Sequence, residues 1–283
     1  MPSTNQPVHG NFHGYYAKRP FLSDPRLAAL PQSLFEGARV LDVGCNEGWV
    51  TCEIAQSKGA RRVVGVDIDD TLIRAAWKRR RYVWSLQEPA HDDAAEREEP
   101  GSSVPKKRKL DGEAGREEAH QLQANYFPAS CQHMFGPLPI PPQRRESDVE
   151  HHLFPHNITF CTADWVNKEI LEDREGYDIV LALSVTKWIH LNGGDEGLMR
   201  FFRRVYSVLK PGGTFVLEPQ EWHNYAKTKR MDPKLKENAK SLKLRPDDFE
   251  RVLQDVGLSP AEHLGKIGEG GFRRAVDVYT KPA

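Results

Sequence analysis

Apolar residues in this chain come in short runs that alternate with segments of helical spacing. Residues 40–43 and 63–66 resemble buried parallel strands, and residues 50–55 between them carry apolar side chains at helical spacing. The same reading gives helices at 25–34, 70–84, 196–209 and 246–254, and strands at 158–161, 177–183, 214–218 and 272–279. This order predicts a single doubly wound α/β domain around a mostly parallel sheet of the seven-stranded type.

Residues 87–150 interrupt this pattern. They mix opposed charges with scattered prolines and few aliphatic side chains, which predicts a disordered insertion. The expected organisation is therefore an arm and lid at 1–35, a domain formed by 36–86 and 151–283, and the insertion between its two parts. Inside the insertion, the cluster Lys106–Lys109 follows a proline as nuclear import signals do, although charged linkers also produce such clusters by chance. The predicted location is the nucleus, otherwise the cytoplasm.

Composition narrows the class of protein. The 40 Lys and Arg residues balance 40 Asp and Glu residues, so any attraction to nucleic acid must come from a local basic surface. The four cysteines show no paired spacing, which predicts a reducing compartment and no metal site. No apolar run approaches the ~20 residues of a membrane span, and the first residues lack a signal-peptide core. We expect a soluble intracellular protein without a membrane partner.

Acids and glycines cluster where the first two strands end. Asp42 lies at the end of the first strand, Gly44 and Gly48 bracket the following turn, and Asp67 closes the second strand. A dinucleotide fingerprint would need two further glycines, and Trp49 would crowd a pyrophosphate. A Walker loop is excluded because no Gly-Lys-Ser/Thr follows. The site is therefore of nucleotide type, at the carboxyl ends of parallel strands.

S-adenosylmethionine (AdoMet) fits this pattern because it carries no phosphate. Asp42 is placed to face its α-ammonium group, directly or through water, and Asp67 to accept both ribose hydroxyls. Asn46 can adopt the left-handed backbone that the turn requires. Asp164, after the third strand, can accept from the adenine amine. The pattern predicts a class I AdoMet methyltransferase; the alternative is an α/β domain with an ordinary tight turn and two exposed acids.

Four sequence motifs indicate a more specific function. The chain resembles the bicoid-interacting-type RNA methyltransferases in LSVTKWIHLNGGDEGL at 183–198 and LKPGGTFVLEPQEW at 209–222, and also in GNFHGYY near the start and in the DVGCN loop. We expect the first of these stretches to begin as a polar loop after the fourth strand. The resemblance covers about residues 10–86 and 153–280. It implies AdoMet-dependent methylation of the 5′ terminal phosphate, a γ-phosphate or a monophosphate, of a small non-coding RNA like 7SK, U6 or tRNA. It also implies a monomeric catalytic unit and a La-related RNA-binding protein as partner.

The resemblance also assigns residues to the cofactor. Its matched positions are Tyr16, Arg26, Gly44, Cys45, Asn46, Asp67, Ile68 and Leu183. Ala163 and Asp164 match the positions at the adenine edge but differ in residue type. Gly193 stands where the family has a tryptophan, and Gly14 where a lysine is usual. Both of these differences from the family pattern concern how the RNA is bound.

The chemistry expected of such a site needs charge placement more than a strong base. A phosphate oxygen is already anionic, so alignment and electrostatic stabilisation suffice for attack on a methyl sulfonium. The groups expected to face the phosphates are Lys187, His190, Lys18 and Arg19. Those expected to stack on the first base are Trp188, Trp222, and Tyr15 or Tyr16. Glu218 and Gln220, at a strand end, are expected to orient these donors.

Two other functions fit the sequence. A small-molecule O- or N-methyltransferase would need a closed apolar pocket and a general base, against which the Lys-Trp-rich stretch speaks. An AdoMet-binding RNA chaperone or scaffold without turnover would use the same binding residues. Turnover on phosphorylated RNA separates the three.

Overall fold

The computed structural model describes residues 9–10, 14–16, 23–87, 129–142, 152–226 and 232–283. Within them the strands are β1 (Arg39–Val43), β2 (Arg62–Asp67), β3 (Ile158–Thr162), β4 (Tyr177–Leu183), β5 (Leu209–Glu218), β6 (Glu262–Ile267) and β7 (Arg274–Thr280). The helices are α1 (Pro25–Ala28), α2 (Trp49–Ser57), α3 (Asp70–Ser85), α4 (Ala129–Phe135), α5 (Thr186–Val208), α6 (His223–Ala226), α7 (Pro233–Ser241) and α8 (Phe249–Val256).

The strands form one sheet in the order β3-β2-β1-β4-β5-β7-β6. β1 to β5 run parallel, whereas β7 is antiparallel to both β5 and β6. The predicted doubly wound, mostly parallel seven-stranded sheet is confirmed, and it is the class I AdoMet methyltransferase fold. Since the strand order reverses between β1 and β4, a crevice for ligands is expected at their carboxyl ends.

The core lies on both faces of the central strands. All five residues of β1 are buried, as expected for a parallel strand covered by helices on each side. On one face, Phe201 and Phe202 of α5 pack against Phe215 of β5, and all three side chains are fully buried. Each such burial contributes about 1.5–3 kcal/mol of transfer free energy, so α5 is firmly fixed on the sheet.

The prediction of a polar loop before residue 196 is wrong. Helix α5 begins at Thr186 and is interrupted only at Gly194, whose φ of 66° and ψ of −172° are not helical. Trp188, Leu191 and Leu198 all bury their side chains, and this apolar stripe continues through the break. The two glycines at 193–194 resemble a loop in sequence, but they only kink a helix whose apolar face holds it in place.

The elements near the end of the chain also differ from expectation. β5 begins at Leu209 instead of residue 214, because the turn at 210–213 is a bulge within the strand: Tyr177 pairs with Leu209, and Ile179 pairs with Thr214. Helix α7 and strand β6 were not predicted. β6 is an exposed edge strand without an apolar alternation, so its sequence carries no strand signal.

The chain divides into two compact units, one formed by residues 1–80 with 140–283 and one by residues 81–139. In the second unit the structure describes α4 where no element was expected, and the backbone N–H of Leu138 donates to Ser85 Oγ at 2.7 Å. The basic cluster Lys106–Lys109 lies outside the described residues, so the predicted insertion and its import signal stay predictions. Of the described helices, none is long and apolar enough to cross a membrane.

Candidate active site

Two adjoining cavities open at the carboxyl edge of the sheet, of about 300 Å³ and about 110 Å³. We call them the larger and the smaller cavity. They share the wall residues His9, Gly44, Asp67, Val185 and Trp188. These walls follow β1, β2 and β4, so the cavities occupy the point where the strand order reverses. A third depression of about 410 Å³ lies beside residues 169–174 and 204–208, at the amino ends of β4 and β5, away from this edge.

The loop after β1 passes close to the start of α5. Gly44 has a φ of 77°, and a Cβ there would lie 2.7 Å from Val185 Cγ2, so only glycine fits. Asn46 adopts the predicted left-handed backbone, with a φ of 52°. Gly48 serves another purpose: a Cβ there would lie 2.8 Å from Phe160 Cζ. It therefore permits α2 to pack closely behind the site.

Asp67 is held in one orientation at the end of β2. Its Oδ2 accepts from the backbone N–H of Asn46 at 2.9 Å, and its Oδ1 accepts from that of Asp69 at 3.0 Å. Burial raises its pKa, and the backbone donors oppose that shift. Each carboxylate oxygen keeps a lone pair for another donor. From its place in the cavity wall, the carboxylate can therefore accept hydrogen bonds from two neighbouring hydroxyls of a bound ligand.

The rest of the larger cavity combines an apolar surface with polar and charged side chains, among them Arg200 and Lys234. Val66, Ile68 and Ala163 line it together with Asp164. Asp164 Oδ2 accepts from Asn167 Nδ2 at 2.7 Å, which fixes its carboxylate at the rim. The structure thus brings together the residues predicted for the ribose and the adenine. An apolar surface with polar groups at its rim suits a heteroaromatic ring.

Four predicted cofactor contacts lie behind the walls: Arg26, Asp42, Cys45 and Gly48. Asp42 lies inside β1, not at its end, and Thr51 Oγ1 donates to its Oδ2 at 2.7 Å. Burial raises the pKa of Asp42 to about 6. This geometry does not support a direct contact with an α-ammonium group, whereas the contact through water stays a prediction.

Arg26 is the centre of a buried network beneath the smaller cavity. Its guanidinium donates to Asp24 from Nε at 2.8 Å and from Nη2 at 2.6 Å, and Nη1 donates to Glu218. Nη2 also lies 3.2 Å from the hydroxyl of Tyr16, which lines the cavity. Buried charges are tolerated when they are paired in this way. Arg26 and Glu218 therefore hold the wall in place.

The smaller cavity contains the polar residues of α5 and the end of β5. Gln220 Oε1 accepts from the backbone N–H of Lys187 at 3.2 Å, and its Nε2 donates to the carbonyl of Ser184. The Lys187 ammonium lies 4.5 Å from the ring centre of Trp188. Leu183 completes the wall. The structure thus brings Lys187, Trp188 and Gln220 together, as the sequence predicted.

His190 is placed differently from the prediction, and Trp222 contacts an arginine. His190 is fully buried; its Nε2 lies 2.8 Å from Asp195 Oδ1 and its Nδ1 lies 3.3 Å from the Tyr225 hydroxyl. Burial lowers its pKa, so it is neutral and faces the core instead of a phosphate. The ring of Trp222 lies under Arg245 at 3.7 Å. The predicted role of His190 at the phosphates is therefore wrong, whereas stacking of the half-buried Trp222 on the first base stays a prediction.

Lys18 and Arg19, the other two predicted phosphate ligands, lie outside the described residues. Their predicted role stays a prediction.

Sequence reasoning missed Arg274. This residue begins β7, and because β7 is antiparallel to β5 its first residue lies at the carboxyl edge, where it lines the smaller cavity. Its Nη1 donates to the Tyr15 hydroxyl at 3.2 Å and to Ser184 Oγ. The available signal was an arginine at the start of a terminal strand, which points to the site only once that strand is known to be antiparallel.

Comparison with known proteins identifies the family of this chain. Residues 177–281 match the family model Bicoid-interacting protein 3 (Bin3), and residues 40–102 match a general methyltransferase-domain model. The chain is 33% identical to a probable RNA methyltransferase of Arabidopsis thaliana, over 98% of this chain and 82% of that protein. The chain belongs to the Bin3 family.

Two further relatives of this Bin3-family chain are named for RNA capping. The human 7SK snRNA methylphosphate capping enzyme is 38% identical over 96% of this chain, and the match covers 39% of that protein. The U6 snRNA methylphosphate capping enzyme Amus of Drosophila melanogaster is 31% identical over 96% of this chain and 74% of that protein. The chain thus spans about two fifths of the length of the human relative.

Both family-model matches contribute residues to the cavity walls. The general methyltransferase match contains Gly44, Asp67 and Ile68, which line the larger cavity. The Bin3 match contains Leu183, Lys187, Trp188, Gln220 and Arg274 of the smaller cavity. The Bin3 match also contains Val185, Ile189 and Arg200 of the larger cavity, so both cavities combine residues of the two matched segments.

Proposed function

We propose that the chain transfers a methyl group from AdoMet to the 5′ terminal phosphate of a small non-coding RNA. The observation that carries this proposal is the pair of adjoining cavities. They share the fixed carboxylate of Asp67; the larger one also has the apolar residues Val66, Ile68 and Ala163, and the smaller one has the cation Lys187. The names of the human and Drosophila relatives, both methylphosphate capping enzymes, support the same reaction.

The residues of the larger cavity fit AdoMet. Its volume of about 300 Å³ lies at the lower end of the range for small-molecule sites. Asp67 suits the ribose hydroxyls, and Asp164 at the rim suits an exocyclic amine. The loop from Gly44 to Gly48 presents Trp49 at the start of α2, where a pyrophosphate site would need small residues. A cofactor without phosphates therefore suits this loop better than a dinucleotide.

The reaction needs little acid–base chemistry. When AdoMet is bound, an anionic phosphate oxygen forms the new O–CH₃ bond while the S–CH₃ bond breaks, and its electron pair stays on the sulfur of S-adenosylhomocysteine. Lys187 supplies positive charge where the phosphate is held, and Gln220 fixes the backbone of Lys187. Burial raises the pKa of the Tyr16 phenol above its usual range, so it stays protonated and acts as a donor.

Partners and location stay proposals. The RNA would be of the 7SK, U6 or tRNA type, and the names of the human and Drosophila relatives support an snRNA. Nuclear import rests on the cluster Lys106–Lys109 alone. A La-related RNA-binding protein is proposed from the family resemblance alone.

The test uses one short RNA in three forms, with a 5′-triphosphate, a 5′-monophosphate or a 5′-hydroxyl, and AdoMet labelled in its methyl group. We expect label in at least one phosphorylated RNA and none in the hydroxyl form. Label in the hydroxyl form at a comparable rate would contradict the proposal. If AdoMet and phosphorylated RNA both bind and no label is transferred, the scaffold alternative is supported instead.

A further inference from the structure

We propose that Arg274, together with Ser184 and Tyr15, forms the subsite that binds the terminal phosphate of the acceptor. This inference rests on the proposed function and assigns its phosphate to particular atoms. The three residues come from distant parts of the chain and meet at the wall of the smaller cavity. Arg274 was not among the candidates that the sequence indicated.

The guanidinium of Arg274 is anchored by Nη1, and the residue lines the smaller cavity. Nη1 donates to the Tyr15 hydroxyl at 3.2 Å and to Ser184 Oγ. The side chain is 14% exposed, and its buried Nε has no hydrogen-bond partner among the described residues. A buried N–H without a partner is unfavourable. The planar guanidinium of an arginine can donate to two oxygens of a phosphate at once, and Arg274 lines the cavity in which that phosphate would lie.

Glu218 does not satisfy Arg274 fully. Its Oε2 is taken by Arg26, and its Oε1 lies 3.5 Å from Arg274 Nη1, which is an ion-pair distance without a hydrogen bond. The buried charges of Asp24 and Glu218 balance those of Arg26 and Arg274. Of the other charged side chains in this wall, Asp67 offsets Lys187, so an anion would lie on the side of Lys187 and Arg274.

The backbone of Ser184 indicates that this arrangement is imposed. Ser184 has a φ of 61°, which is left-handed and uncommon for a residue other than glycine. Its backbone N–H donates to the carbonyl of Glu218 at 3.1 Å, and this conformation places its Oγ against Arg274. Strain of this kind persists where the surrounding structure fixes it and concentrates at functional sites.

The alternative is that Arg274 only stabilises the fold by its contacts with Glu218 and Tyr15. The two roles differ in what they change. A structural arginine affects melting, whereas a phosphate ligand affects kcat/KM for RNA and the inhibition by inorganic phosphate, with AdoMet affinity unchanged.

The experiment compares Arg274→Gln and Arg274→Lys with Arg273→Gln, which removes the same charge from an exposed neighbour. Each variant is assayed with the phosphorylated RNA that the wild type methylates, and AdoMet affinity is measured by calorimetry. We expect kcat/KM to fall ~10²–10³-fold in Arg274→Gln and about tenfold in Arg274→Lys, which keeps the charge but loses the planar fork. Arg273→Gln should stay within about twofold, and AdoMet affinity within about threefold in all variants.

Inorganic phosphate provides a second measurement. It should compete with RNA in the wild type and compete at least about tenfold more weakly in Arg274→Gln. Wild-type kinetics and phosphate inhibition in Arg274→Gln would overturn the inference. If that variant does not fold, wild-type kinetics in Arg274→Lys would overturn it.

The failure of the proposed function would give a different result. If the wild type methylates no phosphorylated RNA, that function fails, and the subsite is then tested by binding alone. The phosphate subsite is supported if the wild type binds phosphorylated RNA more tightly than hydroxyl RNA and Arg274→Gln loses this preference. It is contradicted if the wild type binds both RNAs equally.

Discussion

Asp42 and Asp67 border the same loop but are held differently. Asp67 accepts two backbone N–H groups and faces both cavities. Asp42 lies within β1, 3% exposed, with Thr51 as its hydrogen-bond donor. We therefore expect substitutions of Asp67 to affect the cofactor and substitutions of Asp42 to affect stability.

Asp67→Asn keeps the shape of the side chain and removes its charge. Hydrogen bonds to charged groups contribute about 1.5–3 kcal/mol, so AdoMet affinity should fall roughly 10- to 100-fold. Calorimetry measures this loss. Asp70→Asn is the matched control, because Asp70 follows the same strand but is exposed and paired with Arg74. Unchanged affinity in a folded Asp67→Asn variant would remove Asp67 from the site.

Asp42→Asn should stabilise the protein without ligand at neutral pH. Burial raises the pKa of Asp42 from 3.8 to about 6. Between these values the unfolded chain loses the proton that the folded chain keeps, so rising pH favours unfolding, by about 2–3 kcal/mol in total. The variant lacks this penalty. Its advantage in denaturant unfolding should grow from pH 5 to about pH 6.5 and then stay constant; an advantage that shrinks with rising pH would contradict the assignment.

For single residues, the sequence predicted the features that depend only on neighbouring positions in the chain. The left-handed Asn46 and the acid that ends β2 follow from a turn between two buried strands, and both are found. Arg274 lies 90 residues from its partner Ser184, and no local pattern connects them. His190 was misplaced because a histidine in a polar segment does not show which way its ring faces.

Lys187 and His190 lie one turn apart on α5 and should behave in opposite ways. Lys187→Ala should reduce turnover on phosphorylated RNA ~10²-fold with melting unchanged. His190→Gln should lower stability by about 1–3 kcal/mol, because it disturbs the buried contact with Asp195, and leave turnover within about threefold. Kinetics and thermal melting on both variants give the comparison. A large loss of turnover in a well-folded His190→Gln variant would show that His190 takes part in the reaction.

Elements with a strong apolar period were predicted, and those fixed by tertiary contacts were not. β1, β2 and β4 carry continuous apolar runs and agree closely with the prediction. The first turns of α5 look like a loop because of the glycines at 193–194, and packing of Trp188 and Leu191 overrides that signal. β6 exists only because β7 offers an edge to pair with, which its own sequence does not show.

At the scale of the whole molecule, the core does not use the predicted insertion. The buried apolar residues that the structure describes lie at or before Ala76 or from Ile158 onward. Deleting about residues 89–147 should therefore leave melting and methyl transfer in vitro nearly unchanged. The control is deletion of α7, whose Leu235 is fully buried and which should lower the melting temperature. A loss of the folded state on the first deletion would show that this segment is structural.

The position of the transferred methyl group tests the central claim most directly. A phosphorylated RNA is incubated with the wild-type protein and AdoMet, digested with a ribonuclease, and its fragments are analysed by mass spectrometry. The proposed function predicts the mass of one added methyl group on the 5′-terminal fragment alone, with fragmentation assigning it to the terminal phosphate. A methyl group on an internal fragment, or on a base or ribose of the first nucleotide, would contradict it.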